Sequence, residues 1–302
     1  MRPEASQTGD FYMAFLSILL EGAPYILFGT LISGFIHAYL PGNLMERLLP
    51  KSKGAAVLVA GLLGAILPVC ECAIVPVIRR LVKKGLPLGC AVSYMLSAPI
   101  VNPVVVLSTV SAFAGQSAWF MAMSRVAIGY IVAVLVGLVV TRLKERTVLK
   151  ASVTEGGGGD SHDHAELGGQ QKLVLAMRTS MRDMLDTGMY FTIGVLITSV
   201  VRSQFSDDAL LALGKTEMIA VPGMMVFAFI LSLCSTTDAF IVAQLSAISG
   251  SAKLAFLTYG PMMDVKLLFM YSAVFKKRFV VWMVFGLAVL VGLLCVLWGV
   301  VR

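Results

Sequence analysis

From Phe279 to Val301 the chain carries no charged side chain, and from Ala118 to Val140 its one charge is Arg125. About 20 consecutive apolar residues are enough for a helix to cross a hydrocarbon core of about 30 Å. Two such stretches in one chain already confine it to the membrane. Further apolar segments run over 11–40, 54–78, 86–114, 183–203, 217–234, 236–248 and 252–275. Composition agrees: 58% of the residues are hydrophobic and 14% charged, where soluble domains run at about 45–50% and about 25%. The expected fold is an all-α polytopic membrane protein in a lipid bilayer. The first ten residues are mostly polar and 11–40 is too long for a signal-peptide core, so no cleaved leader is expected.

A net charge of +7 could point to nucleic acid in a soluble protein. Here the basic residues sit in short loops between apolar segments, the pattern of positive-inside topology, and no nucleic-acid partner is expected. The five cysteines, Cys70, Cys72, Cys90, Cys234 and Cys295, all lie in apolar segments, which argues against a secreted disulfide framework.

The polar stretch 142–182, with Gly156–Gly159 and Ser161-His162-Asp163-His164, divides a first membrane repeat (1–141) from a second (183–302). It reads as a flexible cytoplasmic linker. His162 and His164 could hold a metal weakly, but two histidines make a poor site, and a tether is the expectation. The halves resemble each other in register. Leu20-Glu21-x-x-x-Tyr25-x-x-x-Gly29 recurs as Leu185-Asp186-x-x-x-Tyr190-x-x-x-Gly194. Ile66-Leu67-x-x-Cys70 recurs as Ile230-Leu231-x-x-Cys234, and Pro99-x-x-Asn102 as Pro261-x-x-Asp264. Equivalent loops differ in charge. Arg47, Lys51 and Lys53 stand against Asp207, Asp208 and Lys215; Arg79, Arg80, Lys83 and Lys84 stand against Lys253 alone; and Lys276-Lys277-Arg278 matches an uncharged turn near Gly115–Ser117. The positive-inside rule then puts equivalent loops on opposite sides, which implies two inverted repeats, a common construction in transporters. Broken or re-entrant helices are expected to meet near the midplane. Either 54–78 enters and returns as a broken hairpin while 86–114 crosses, or the reverse. Arg125 has no evident partner in this scheme.

The chemistry concentrates where the helices should break. In Leu67-Pro68-Val69-Cys70-Glu71-Cys72-Ala73-Ile74-Val75-Pro76, the two prolines predict an unwound stretch. Such backbone is tolerated at membrane depth only inside protein or beside water. An extended segment would aim Cys70 and Cys72 the same way, with Glu71 opposite. Paired thiolates suit soft ions such as Cu(I), Zn(II) or a trivalent arsenical; a buried cysteine can also be merely a small hydrophobe. Cys234-Ser235-Thr236-Thr237-Asp238 is the equivalent stretch. Asn102, between Pro99 and Pro103, and Asp264, after Pro261, mark two discontinuous helices. Lys266 could neutralise Asp264, Glu71 or Asp238. Cys90 and Cys295 read as packing residues, and Glu21 and Asp186 as interfacial or capping ones.

The run from Leu67 to Pro76, then Arg79-Arg80-Leu81-x-x-Lys84-Gly85, then Ser97-Ala98-Pro99-Ile100-Val101-Asn102-Pro103, resembles the YraQ-type predicted permeases. These are similar to organoarsenical exporters called ArsP and to a branch of copper/zinc efflux permeases. The resemblance covers nearly the whole chain. It implies a bacterial inner-membrane permease of two related halves, with the family's Cys-x-Cys at Cys70 and Cys72. Ala73 stands where many members have glycine, and the linker is poorer in histidine than in the metal-efflux branch.

The function expected is therefore a secondary transporter, not an enzyme, exporting a thiophilic metal or metalloid ion or a small solute. Candidate substrate-binding residues are Cys70, Glu71, Cys72, Asn102, Cys234, Asp238 and Asp264, with Cys70 and Cys72 as the metal-binding pair. Pro68, Pro76, Pro99, Pro103 and Pro261 are the expected breaks. No cofactor and no catalytic residue is expected, and no Walker motif is present. A thiol-redox protein using Cys70 and Cys72, or a membrane subunit working with an accessory protein, would be the alternatives.

Overall fold

The computed structural model describes residues 4–39, 50, 52–66, 69–115, 117–150, 169–204, 217–245 and 248–301. They form thirteen helices and no extended strand among the described residues. The N-terminal half gives α1 (Glu4–Tyr39), α2 (Lys53–Ile66), α3 (Glu71–Lys83), α4 (Leu88–Val101), α5 (Pro103–Ala112) and α6 (Ala118–Val140). A single short turn of helix, α7 (Glu145–Val148), follows. The C-terminal half gives α8 (Gly169–Gln204), α9 (Glu217–Leu231), α10 (Asp238–Gln244), α11 (Gly250–Met262), α12 (Val265–Val274) and α13 (Lys277–Val301). The order repeats: a 36-residue helix, two short helices, a broken pair and a long closing helix.

Length separates spanning from non-spanning elements. Five segments are long and apolar enough to cross: Phe11–Tyr39, Leu88–Ala112, Ala118–Val140, Gln170–Val201 and Lys277–Val300. The 14 residues of α2 and 13 of α3 reach only about 20 Å each at 1.5 Å per residue, short of the bilayer core. Within Leu88–Ala112, 78% of the most apolar window is buried inside the protein, against 28% for Lys277–Val300. The broken helix is central and α13 is peripheral. Large apolar side chains such as Phe28, Leu185, Phe285 and Val289 are exposed on α1, α8 and α13, as a lipid-facing shell requires.

The breaks follow from local chemistry. Pro103 occupies the first position of α5, and the Asn102 side chain caps it by accepting from Val104 N–H at 2.9 Å. Asp264 does the same for α12, accepting from Leu267 N–H at 2.7 Å. Helix α3 ends at Lys84-Gly85; Gly85 takes φ +89°, and Leu86 N–H bonds back to Leu81, a left-handed exit that glycine adopts without strain.

Helices α1 and α8 pack together antiparallel. Gly22 lies against Phe191, Ser33 donates to Asp183, and Gly34 lies against Ala176 and Ser180. Gly29 and Gly194, equivalent in sequence, let α3 approach α1 and α12 approach α8 closely. A Cβ on Gly29 would meet the Ala73 backbone at 2.7 Å, and one on Gly194 the Lys266 backbone at 2.8 Å. Helices α6 and α13 also run antiparallel: Trp298, at the end of α13, donates to Ser124 near the start of α6.

These contacts sort the loops onto two ends. Lys150 N–H bonds Val274 and Lys276 N–H bonds Val148, around an isolated antiparallel bridge from Leu149 to Phe275. Gly89, opening α4, lies against Thr141, closing α6. Arg80 binds Asp183 through two bonds of 2.9 and 2.8 Å, and Arg79 reaches Asp186 at 3.2 Å. The basic groups 79–84, 142–150 and 276–278 therefore share one end. At the other end Gly299 meets Ser251, and Lys253 stands 5.9 Å over the Phe113 ring.

Helix α8 opens at Gly169, so 169–182, expected as linker, is helical and packs on α1. Gly156–Gly159, His162 and His164 lie outside the described residues, as do Pro68, Arg47, Lys51 and the loop with Asp207, Asp208 and Lys215.

Candidate functional site

A cavity of about 170 Å³ lies where the two halves meet. Helix α1 contributes Ser17, Glu21 and Tyr25; the break before α3 contributes Cys70, Glu71 and Cys72. The turn from α9 to α10 adds Ser232, Cys234 and Thr237, and α12 adds Lys266. Four of the residues expected to bind substrate, Cys70, Glu71, Cys72 and Cys234, are thus brought to one wall.

The local backbone explains the convergence. Cys70 is extended (φ −73°, ψ 166°) and its carbonyl accepts from Ala73 and Ile74. Cys234 sits in the same role, its carbonyl accepting from Thr237 and Asp238. Two sequence expectations need correction here. The unwound stretch does not extend to Pro76: helix resumes at Glu71, with Pro76 inside it. A proline that deep in the helix forfeits one backbone hydrogen bond, that of the Cys72 carbonyl, without breaking the turns on either side. Nor does Glu71 point away from the thiols. With only Cys70 extended and Cys72 already in the first helical turn, the alternation of a strand no longer applies, and all three border the cavity.

Glu71 and Lys266 are both buried and their charges meet at 3.4 Å. Ser235 Oγ donates to the other Glu71 oxygen at 3.0 Å. The Lys266 ammonium also donates to the Ser232 carbonyl at 3.1 Å and stands 3.5 Å from Asp264 Oδ2. Ser232 takes φ +48°, a left-handed conformation that costs a residue other than glycine about 1–3 kcal/mol. It ends α9 and leaves its carbonyl bound to the lysine. All five cysteines are free thiols; Cys90 and Cys295 are buried away from the cavity. Among the described residues no group of three or more His, Cys, Asp and Glu side chains is arranged to hold a metal ion. A soft ion would meet the thiols as cargo, with Cys70 and Cys72 as its first candidates.

The profile of a family of predicted permeases, ArsP_1, matches residues 7–302. The chain belongs to that permease family. Among the permease's relatives is "UPF0718 protein YcgR" of Bacillus subtilis (strain 168), 37% identical over 92% of both chains. A protein of Streptococcus mutans named "Putative two-component membrane permease complex subunit" is 35% identical over 95% of this chain and 94% of its own. "UPF0718 protein MJ0584" of Methanocaldococcus jannaschii is 25% identical over 37% of this chain and 30% of its own. No solved structure matches the permease.

The remaining candidates of the permease lie behind the cavity or away from it. Asp238 is the first residue of α10 and does not line it. It binds Arg125 of α6 through both carboxylate oxygens, at 2.7 and 3.2 Å, and the guanidinium also reaches Thr109 Oγ1 at 2.9 Å and the Ser235 carbonyl at 3.2 Å. The partner that Arg125 lacked in the sequence reading is therefore the second half's buried carboxylate. Asp264 touches the cavity only through Lys266. Asn102 caps α5 and stays outside the cavity. Pro99 and Pro261 lie in the last turn of α4 and α11, two residues and one residue before their ends.

Lys266, Glu21, Tyr25 and Ser232 line the cavity although they were not ranked among the site residues. Charge counting over the apolar segments contains a signal for the first: Glu71, Asp238 and Asp264 must share Arg125 and Lys266, and buried charges require partners.

Proposed function

We propose that this permease is a secondary transporter of the bacterial cytoplasmic membrane that exports a thiophilic metal or metalloid ion or a small thiol-reactive solute. The observation that carries the reading is the convergence of Cys70, Cys72 and Cys234 with Glu71 on one cavity beside two helix breaks. Soft sulfur ligands select soft cations, and a carboxylate beside them supplies counter-charge. Helix breaks at a shared cavity are where transporters place their sites.

The two halves act as inverted repeats. The antiparallel packing of α1 on α8 and of α6 on α13 supports this, because each pair is equivalent in sequence order. So does the placement of 79–84 and 276–278 at one end, while 113–117 and 248–253, their counterparts, lie at the other. The basic end faces the cytoplasm by the positive-inside rule. The described start of the linker, 142–150, lies there too.

The test is a flux assay on the purified chain in proteoliposomes, with Ag(I) as a redox-stable soft cation and trivalent phenylarsenical as a neutral thiol-reactive probe. Movement of either that is lost in both Cys70→Ser and Cys72→Ser supports the reading. Unchanged flux in both variants sinks it. A second reading draws on the Streptococcus relative's name: the chain is one subunit of a two-component permease. Flux that appears only when a second membrane protein is added would establish that instead.

A further inference from the structure

Around the helix breaks the described residues place three buried carboxylates, Glu71, Asp238 and Asp264, with two buried cations, Arg125 and Lys266, so their formal charges do not cancel. Arg125 and Asp238 form a closed, two-pronged pair. That leaves one cation, Lys266, between two carboxylates, Glu71 at 3.4 Å and Asp264 at 3.5 Å. With both ionised this group would hold a net negative charge away from water, at a cost of several kcal/mol. One oxygen marks where the imbalance falls. Asp264 is fully buried; its Oδ1 accepts from Leu267 N–H at 2.7 Å, but its Oδ2 meets only the Lys266 ammonium, at 3.5 Å and outside hydrogen-bond geometry. Both oxygens of Glu71 are engaged, by Lys266 and by Ser235.

We propose that Asp264 Oδ2 is a proton-binding site, and that its proton sets which carboxylate holds the Lys266 ammonium. This rests on the transport reading for its purpose, though not for its chemistry. With Asp264 protonated, Lys266 and Glu71 form a neutral pair. When the proton leaves, the ammonium, almost equidistant from both, is drawn to Asp264 on its own helix. Glu71 then faces the cavity as an unpaired carboxylate beside the thiols and supplies counter-charge to a cationic cargo. Proton binding and cargo binding thereby oppose one another, which is the requirement of an antiporter.

A proton fits better than a metal ion such as Na⁺. A hard cation needs several oxygen ligands; here one Asp264 oxygen is used by the cap, and an ammonium already fills the space between the carboxylates. Other titratable groups surround Asp264. Tyr271 is on its own helix, Tyr259 on α11 and Glu71 on α3; Cys72 on α3 and Cys234 on the turn before α10 face Lys266 beside it. Tyr271 donates to the Met262 carbonyl and Tyr259 to the Val284 carbonyl. On α8, Asp183 and Asp186 are held by Arg80 and Arg79. None of these supplies the missing donor to Oδ2.

Asp264→Asn tests the site without removing the cap, because the amide oxygen can still accept from Leu267. Two readouts are needed on the full chain in proteoliposomes. The first is pH-difference infrared spectroscopy: the wild type should show a carboxylic C=O signal that titrates, and Asp264→Asn should lose it while Glu145→Gln keeps it. The second is Ag(I) flux with and without an imposed pH gradient. The gradient should accelerate the wild type, and in Asp264→Asn the ratio with to without gradient should fall to one. Retention of both the signal and the gradient dependence in Asp264→Asn overturns the proposal, as does wild-type flux that follows a Na⁺ gradient instead. A signal that depends on Asp264 in a chain that moves no Ag(I) upholds the proton site and sinks the soft-cation reading.

Discussion

Besides Arg80–Asp183, two buried charge groups cross between the halves at the helix breaks, and they are built differently. Arg125 and Asp238 meet fork to fork at 2.7 and 3.2 Å, with Thr109 and the Ser235 carbonyl filling further donors. Glu71, Lys266 and Asp264 meet at 3.4 and 3.5 Å, and Asp264 Oδ2 has the ammonium as its one polar contact, outside hydrogen-bond geometry. The choice of cation matches. A guanidinium has a planar fork that fixes geometry, whereas an ammonium on a flexible stem is a point charge that can shift between partners. The first group is a tie; the second borders the cavity and is loose enough to change hands. Burial alone would not separate them, since Arg125, Asp238, Glu71, Asp264 and Lys266 are all buried.

The contrast can be broken by mutation. The largest effect is expected at the tie. Arg125→Ala leaves Asp238 ionised and unpaired, and should lower stability by about 3–5 kcal/mol. Thermal unfolding in detergent would measure it, and Arg125→Met with Asp238→Leu should recover most of the loss. A single variant as stable as the wild type would mean that water already reaches the pair. Lys266→Ala should cost less, about 1–3 kcal/mol, because Asp264 can hold a proton and Glu71 borders the cavity, so neither stays a bare charge, yet it should abolish gradient-driven flux. If it instead destabilises more than Arg125→Ala, the two groups have been assigned the wrong way round.

How much of this was legible beforehand differs between the two groups. The membrane class and the breaks near residues 70, 102 and 264 follow from hydropathy and proline spacing, and the break near 234 and the duplicated order of elements from the repeated motifs. Pairing across halves does not. Arg125 and Asp238 stand 113 positions apart, and no local rule links an arginine in one apolar helix to an aspartate opening another. The extent of unwinding was misjudged at Pro76, because sequence alone does not reveal that a helix can begin at Glu71 and carry the proline within it. Asn102 and Asp264 looked like a matched pair of ligands; the structure gives both a capping role, and only Asp264 has a lysine two residues on.

Smaller effects sharpen the comparison from outside the two groups. Gly29→Ala puts a methyl against the Ala73 backbone and should cost about 1–3 kcal/mol by forcing α1 off α3; the same substitution at Gly188, which has open space around its Cα, is the control. Arg79→Ala should change stability by about 1 kcal/mol or less, since Asp186 is half exposed and such pairs contribute little. Cys90→Ser and Cys295→Ser should leave Ag(I) flux at wild-type level, because neither thiol borders the cavity. A strong flux defect in either would shift attention from the cavity to the helix packing around α4 and α13.

The crossing of the tie has a consequence for how the chain is made. Arg125 enters the membrane 113 residues ahead of Asp238, and Glu71 precedes Lys266 by 195. At a synthesis rate of about 5–20 residues per second, the arginine waits roughly 6–20 seconds for its counter-ion and the glutamate about 10–40. During that interval the nascent N-terminal half cannot release itself fully into lipid. It must be held where water or the insertion machinery can shield two lone charges, and it is freed only when the second half arrives to neutralise them. A ribosome stalled between α7 and α10 should therefore leave a half-molecule that stays bound at the insertion site and is open to membrane proteases.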